Sequence, residues 1–584
     1  MKAFSTFLAT FACLGVLSGC QKVAPQSLSV PVEPVATEDW RGLEGDDLLY
    51  LVLVDRFENG DPENDANADL SDPIAFHGGD LAGVASRLDK LVELGVTAIW
   101  LTPVFQMQST PFHGHGAFHG YWVDDLDSID PRFGGESALV DLSTKAHDLG
   151  LKVYLDMVYN HVGYTSPRVS THPDWFHQNG TIQNWEDPVE RENGDVHGLP
   201  DLDQDLSEVR EYLFERTKYW VEALALDGLR IDAVGHLPST FLSDLNEELE
   251  AAGYGDVVLL GEVYDGNAWR LATQKRESSL DAVFDFPLHF AAVDAFCDGG
   301  DFRRLATALA TERLVDDPRQ LVTFLDNHDR ARFFTACQHS EEKVRAALEF
   351  LFSVRGVPSL MYGTEAGMKG EAEVDVRADM DWSSDVFTQT IQRAQARRSQ
   401  HPSLSRGTSH ILHASKDLLH VVREADGEFA SIVFKRSDAP ASFPIQSPMG
   451  EPLWVHNLMG DSSGSVSLFR SSNDSLAERW RADWASLPES LSVRLDVLDV
   501  ELSPDEVLYL AGDGPELGGW QPDQALGPFE QTDEGWTLTV QLPPWTPLTG
   551  KLIARSPDGD VRWSEAADTT FFIREADERI ELSW

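Results

Sequence analysis

Short apolar runs recur along the first two thirds of the chain, at residues 48–54, 96–101, 152–157, 228–231, 257–261, 282–286, 321–325 and 358–362. Each is too short for a helix, and a continuous apolar run of that length reads as a strand buried on both faces. Between them lie longer segments, such as 83–94, 136–149, 208–225 and 341–354, whose apolar positions follow the helical period. Eight strands, each followed by a helix, predict an α/β fold, a closed (β/α)8 TIM barrel over residues 46–400. A doubly wound open sheet is the alternative, but no Gly-rich nucleotide-binding turn follows the first run. Residues 162–200 are too many for an ordinary loop and predict a subdomain inserted after strand three.

Beyond residue 400 the helical period fades. Residues 418–422 and 429–434 read as strands, which predicts an all-β domain over 401–497. From 498 to 584, short alternating strands and Gly/Pro turns predict a second β-sandwich. The polar segment 461–488 fits neither pattern.

Composition narrows the partners. Hydrophobic residues make up 42% of the chain, enough for packed cores, which excludes a disordered polymer. Lys and Arg number 46 against 97 Asp and Glu, so the formal charge is 46 − 97 = −51. Such an excess repels nucleic-acid backbones and anionic lipid surfaces, and fits a neutral ligand, bound divalent cations or a salty habitat. Sixteen tryptophans offer flat rings of the kind that stack on sugars.

The first residues read as an export signal: Lys2, an apolar stretch over 3–16, then Leu17-Ser18-Gly19-Cys20, which resembles a bacterial lipobox. The resemblance implies removal of residues 1–19, a lipid anchor on Cys20 and, with Gln21 next, the outer membrane. A plain secretory signal is the alternative. Residues 20–45, with Pro25, Pro31 and Pro34, read as a tether. Cys13 leaves with the signal; Cys297 and Cys337 lie near different predicted elements and could pair in an oxidising compartment.

Candidate chemistry follows the strands. Strand three ends in Asp156-Met157-Val158-Tyr159-Asn160-His161, and strand four in Arg230-Ile231-Asp232-Ala233-Val234-Gly235-His236. Strand five gives Gly261-Glu262-Val263-Tyr264, and strand seven Asp326-Asn327-His328-Asp329. Barrel enzymes build their sites on that rim. Retaining cleavage of a glycosidic bond needs a carboxylate nucleophile and a protonated carboxylic acid, about 5–5.5 Å apart. Asp232, two residues beyond Arg230, suits the nucleophile, and Glu262 in a drier place suits the acid. Asp329 would hold sugar hydroxyls, with His161, His236 and His328 donating hydrogen bonds to the same ring. The alternative is a structural salt-bridge network on Arg230.

These four stretches resemble the conserved regions of the α-amylase superfamily of retaining glycoside hydrolases. Residues 95–103 and Leu199-Pro200-Asp201-Leu202-Asp203 resemble two further family regions. The resemblance implies Asp232 as nucleophile, Glu262 as acid/base, Asp329 as transition-state stabiliser and Tyr121 as the aromatic beneath the attacked sugar. It also implies Ca2+: one ion on Asn160, Asp201 and the His236 carbonyl, where the subdomain meets the barrel. A second is implied by residues 55–65, which resemble the amino-terminal loop of cyclodextrin glucanotransferases. There Asn59, Asp61, Asn64, Asp65, the Gly78 carbonyl and Asp80 would be ligands. Oxygen donors suit a hard cation. Two departures stand out. Gly235 replaces a Lys usual before His236, and His197 falls where those transferases place a large aromatic, so water is favoured as acceptor.

The last domain resembles a family 20 starch-binding module through residues 507–512, Glu516-Leu517-Gly518-Gly519-Trp520 and 536–540. Trp520 and Trp563 would form its binding platform with Lys551 alongside, and Trp536 its core. The sequence-based expectation is a monomeric, exported lipoprotein that cleaves internal α-1,4 bonds of starch, maltooligosaccharides and other α-glucans. A transglycosylase that makes or opens cyclodextrins is the rival enzyme. A surface protein that captures starch with a dead barrel is the rival of another class.

Overall fold

The computed structural model describes residues 42–65, 67–185, 187–436 and 490–584, less 499, 501, 534, 545, 567 and 574–577, and the backbone of 454–457 and 464–470. The export signal, Cys20, most of the tether and most of the polar segment 461–488 lie outside the described residues.

Eight parallel strands close on themselves in chain order, with β8 beside β1. They are β1 (Leu49–Val52), β2 (Ala98–Leu101), β3 (Lys152–Met157), β4 (Gly228–Ile231), β5 (Val258–Gly261), β6 (Ala282–Phe284), β7 (Leu321–Phe324) and β8 (Val357–Met361). Apart from half-buried Lys152, every strand residue is buried, which explains their apolar, non-alternating sequence. The helix Leu81–Leu94 shows how the outer ring forms. Asp80 caps its start by accepting from the Gly83 N–H, Gly95 ends it in the left-handed region at φ 102°, and Leu81, Val84, Leu88 and Leu91 face the barrel. Each of those buried leucines contributes roughly 2 kcal/mol of apolar burial.

The tether ends earlier than the sequence suggests. Leu43 is 2% exposed, and Arg398 Nε donates to the Gly45 carbonyl at 2.7 Å, so residues 42–45 belong to the folded body. The insertion after β3 leaves and returns at one point, where His161 bridges Asp201 in antiparallel fashion. Cys297 and Cys337 form a disulfide that ties the segment after β6 to the one after β7.

After the helix Thr388–Gln400, five antiparallel strands form one sheet in the order β12-β13-β11-β10-β9. These are β9 (Thr408–Ala414), β10 (Leu418–Ala425), β11 (Glu428–Lys435), β12 (Trp454–Asn457) and β13 (Gly464–Arg470). The terminal domain begins with β14 (Leu491–Val497), which pairs with β17 (Gly535–Leu542) and β21 (Glu578–Leu582), and β16 (Glu530–Thr532) completes the sheet beside β17. The boundary at 498 is therefore corrected. Leu491, Val493, Leu495 and Val497 alternate inward against Leu508, Leu552 and Ile573 of the terminal core, which fixes β14 there. The facing sheet holds β15 (Val507–Gly512), β18 (Leu548–Arg555), β19 (Val561–Trp563) and β20 (Thr569–Phe571). Among the described residues no helix is long and apolar enough to cross a membrane.

Candidate active site

Parallel pairing sets the site. Asp156 on β3 lies level with Arg230 on β4, and Ile231 with Gly261 on β5, so Asp232 and Glu262 leave their strands side by side. Arg230, 1% exposed, donates from Nη1 to both oxygens of Asp156 at 2.9 and 3.0 Å and to Asp232 Oδ1 at 2.7 Å. Its Nη2 lies 2.8 Å from Glu262 Oε2. One buried cation thus holds three carboxylates. Beyond Asp232 the chain turns sharply, with Ala233 in the left-handed region at φ 51°, a strained setting for a residue with a Cβ. That turn aims the Ala233 N–H at Glu262 Oε2, 3.2 Å away.

Three buried acids around one guanidinium cannot all ionise cheaply. Burial pushes Glu262 up to about 8, with Asp232 and Asp329 adding and Arg230 opposing. Burial likewise raises Asp156 to about 7. Asp156 accepts from Trp100 Nε1 at 3.0 Å and from the Tyr121 hydroxyl at 2.8 Å, besides Arg230. Among the described residues, Glu262 has only Arg230 and the Ala233 N–H. The proton therefore belongs on Glu262, which has fewer donors to stabilise a charge. Asp329 goes the other way: burial would raise it, but His328, Arg377 and Arg230 hold it below the usual carboxylate range. Arg377 Nη2 reaches Asp329 Oδ1 at 2.8 Å.

The remaining residues expected from sequence gather here. Tyr121 is half-buried, its ring parallel to that of His328 at 5.1 Å. The imidazoles also have partners within the protein. His161 Nε2 lies 3.1 Å from the Tyr121 carbonyl, His236 Nδ1 2.9 Å from the Arg191 carbonyl, and His328 Nε2 3.1 Å from Asp329 Oδ2. Carbonyls only accept, so His161 and His236 each donate one N–H to the protein. Burial lowers the pKa of all three. His328 Nδ1 is buried without a partner, and His161 Nδ1 lies 3.4 Å from Asn160 Nδ2.

Sequence reasoning missed four residues of this site. Asp156 stood in a quoted motif, but its place on Arg230 required the β3–β4 register. Arg377 belongs to no motif. Tyr264 is 52% exposed beside Glu262. Trp185, in the insertion, is 38% exposed, 5.4 Å from the His197 ring and edge-on to His236 at 5.7 Å. A side chain built on Gly235 would meet nothing within 4 Å, so the missing Lys leaves open space.

Two oxygen clusters fit a hard cation. Asn160 Oδ1 lies 2.8 Å from the His236 carbonyl and 3.3 Å from Asp201 Oδ1. Converging acceptors repel unless the amide turns round or a cation sits among them. Asp201 is raised to about 7 by burial, although His177 Nδ1 lies 2.7 Å from its other oxygen. In the amino-terminal loop, Asn64 Oδ1 and Asp65 Oδ1 are buried without partners. Gly78, at φ 90°, leaves open a space where a Cβ would fall 2.4 Å from Asp65 Oδ1. Asn59 Nδ2 donates to Asp65 Oδ2 at 2.8 Å, and Asp80 gathers the Gly60 and Asp61 N–H groups and Asn64 Nδ2 at 2.8–3.1 Å. Asp61 Oδ1 turns back to the Glu63 N–H. Among the described residues no group of three or more His, Cys, Asp or Glu comes together as a metal cluster, so Asp61, Asp65 and Asp80 do not converge as one.

In the terminal domain the Trp520 and Trp563 rings lie 6.2 Å apart at 31°, and Lys551 Nζ is 3.2 Å from Asp568 Oδ1. Trp536 packs against the core.

Comparison with known proteins agrees with this geometry. The model of the α-amylase catalytic domain matches residues 51–407, and that of a starch-binding domain residues 490–581. A β/α-amylase of Paenibacillus polymyxa is 31% identical over 412 residues, 67% of this chain but only 33% of that longer enzyme. A cyclomaltodextrin glucanotransferase of Klebsiella oxytoca is 27% identical over 606 residues, covering 90% of this chain and 92% of its own. The crystal structure of an Anoxybacillus α-amylase superposes with a TM-score of 0.63 at 28% identity, over 88% of this chain and 98% of its own. The chain belongs to the α-amylase family of glycoside hydrolases and carries a starch-binding domain at its carboxyl end.

Proposed function

We propose that the protein hydrolyses internal α-1,4 bonds of starch and related glucans with retention of configuration. The observation that carries this reading is the single Arg230 guanidinium that holds Asp232 at 2.7 Å and Glu262 at 2.8 Å, with Glu262 raised to about 8. Protonated Glu262 donates to the glycosidic oxygen as Asp232 attacks the anomeric carbon and forms a covalent glycosyl-enzyme. Glu262, now a base, takes a proton from water, which releases the sugar and regenerates Asp232. Asp329, anchored by Arg377, holds hydroxyls of the ring as it flattens toward the transition state.

A second reading is favoured by Trp185 and Tyr264. Two exposed rings at the rim supply apolar surface for an acceptor sugar, which supports transfer to a glucan or the opening and closing of cyclodextrins. A timed product profile on soluble starch and β-cyclodextrin separates the two. Hydrolysis gives short linear oligosaccharides and a steady rise in reducing ends; dominant cyclic or elongated products make transfer the main activity.

Asn160, Asp201 and the His236 carbonyl would hold one Ca2+, and Asn59, Asp61, Asn64, Asp65, Gly78 and Asp80 a second. The ions would neutralise crowded oxygens and staple loops to the barrel. We expect a calcium chelator to lower the melting temperature and added Ca2+ to restore it, since saturation at 100 times Kd contributes about 2.7 kcal/mol. A melting curve indifferent to both would remove calcium from the scheme. The lipobox-like Leu17-Ser18-Gly19-Cys20 supports export with an anchor on Cys20, and the Cys297–Cys337 disulfide supports an oxidising compartment.

A further inference from the structure

The loop that carries Glu262 leads directly to the starch-binding domain. Tyr264 packs on Phe286 at 4.6 Å, and its hydroxyl accepts from Arg330 Nη1 at 2.9 Å. Three residues later Asn267 caps the helix Ala268–Glu277, its Oδ1 accepting from the Trp269 and Arg270 N–H groups at 2.9 and 3.0 Å. The cap fixes the amide's orientation, so its NH2 faces outward, where it donates to Asp513 Oδ2. The other oxygen of Asp513 accepts from the Trp520 indole at 2.5 Å. One carboxylate, 4% exposed, thereby joins a barrel helix cap to a ring of the starch platform. A second contact lies beside it: Trp269 Nε1 donates to the Pro547 carbonyl at 2.8 Å, and a Cβ on Gly514 would fall 3.3 Å from the Trp269 indole.

In retaining cleavage the acid protonates the leaving group, so the loop beyond Glu262 borders the leaving-group side. Asn267 lies five positions after Glu262, a span of at most about 18 Å. We propose that the starch-binding domain is docked as a fixed continuation of the leaving-group side of the cleft, with Asp513 the positioning residue that holds Trp520 in line with Tyr264 and Glu262. A long α-glucan then lies on the platform and in the cleft at once, and gains from the effective concentration of a second site; a short oligosaccharide does not reach. This rests on the α-glucan hydrolase reading above.

The pair can be swapped. Asp513→Asn alone sets its NH2 against a donor, either the NH2 of Asn267 or the Trp520 indole N–H, and Asn267→Asp alone sets carboxylate against carboxylate while keeping a good helix cap. Together, N267D and D513N restore a donor facing an acceptor and still leave an oxygen for the Trp520 indole. The experiment measures kcat/KM of the full chain on amylose and on maltopentaose, with melting curves and β-cyclodextrin affinity as controls. Asn267→Asp, which leaves Asp513 on the Trp520 indole, should lose about tenfold on amylose with maltopentaose turnover and β-cyclodextrin affinity within about twofold; Asp513→Asn should lose at least as much on amylose with maltopentaose turnover within about twofold, and the double variant should recover. An unchanged amylose-to-maltopentaose ratio, an equal loss on both substrates, or a double variant that fails to recover overturns the proposal. Failure of the wild type to cleave either glucan sinks the hydrolase reading instead; docking is then judged by the ratio of amylose to maltopentaose affinities across the same variants.

Discussion

Replacing Asp232 by Asn should lower starch turnover on the order of 10⁵-fold while starch binding persists. The substitution removes the nucleophile but keeps the shape of the side chain and an oxygen to accept from Arg230, which lies 2.7 Å away. The loss is therefore chemical, and a melting curve close to wild type should show it. A second effect follows from charge. Asp232 is one of the groups that raise Glu262, so its neutralisation should move the alkaline limb of any residual activity to lower pH. Near-normal turnover by Asp232→Asn would remove Asp232 from the mechanism.

The next largest effect belongs to Glu262. Glu262→Gln should cost about 10²–10⁴-fold on glucans, the usual worth of a general acid, and much less on an aryl glycoside whose leaving group needs no proton. Wild-type activity should fall as pH rises through about 8, because the first step needs the proton on Glu262. The stability effect has a definite sign. An acid whose folded value is raised binds its proton more tightly when folded, so stability falls as pH climbs from the unfolded value of about 4.5 to about 8. Glu262→Gln escapes that penalty, so it should melt above the wild type at pH 9 and level with it at pH 4. Equal melting at both pH values would show that Glu262 is not a buried, proton-holding acid.

The barrel was legible because its strands are buried on both faces. β3 and β4 coincide with the runs read from sequence, and the other barrel strands lie within two residues of theirs. Asp232, Glu262 and Asp329 were legible because strand ends aim side chains at one rim. What remained hidden depends on distant partners. Asp156 becomes a third acid on Arg230 only through strand register, and Arg377 meets Asp329 from a loop 48 residues away. Trp185 lies in an insertion without repeating pattern, so nothing in the sequence shows that its ring comes to rest against His197 and His236. Residues 42–45 looked like tether because a short polar stretch gives no periodicity, although Leu43 is buried. β14 was assigned to the preceding domain because strands of either sheet share one alternation, and only its partners β17 and β21 decide.

The central claim is that Asp232 and Glu262 cleave α-1,4 bonds by double displacement. Its most direct test is proton NMR of amylose in the first minutes of digestion, before reducing ends mutarotate. Retaining hydrolysis gives linear products whose new reducing ends are α-anomers; initial β-anomers would contradict it.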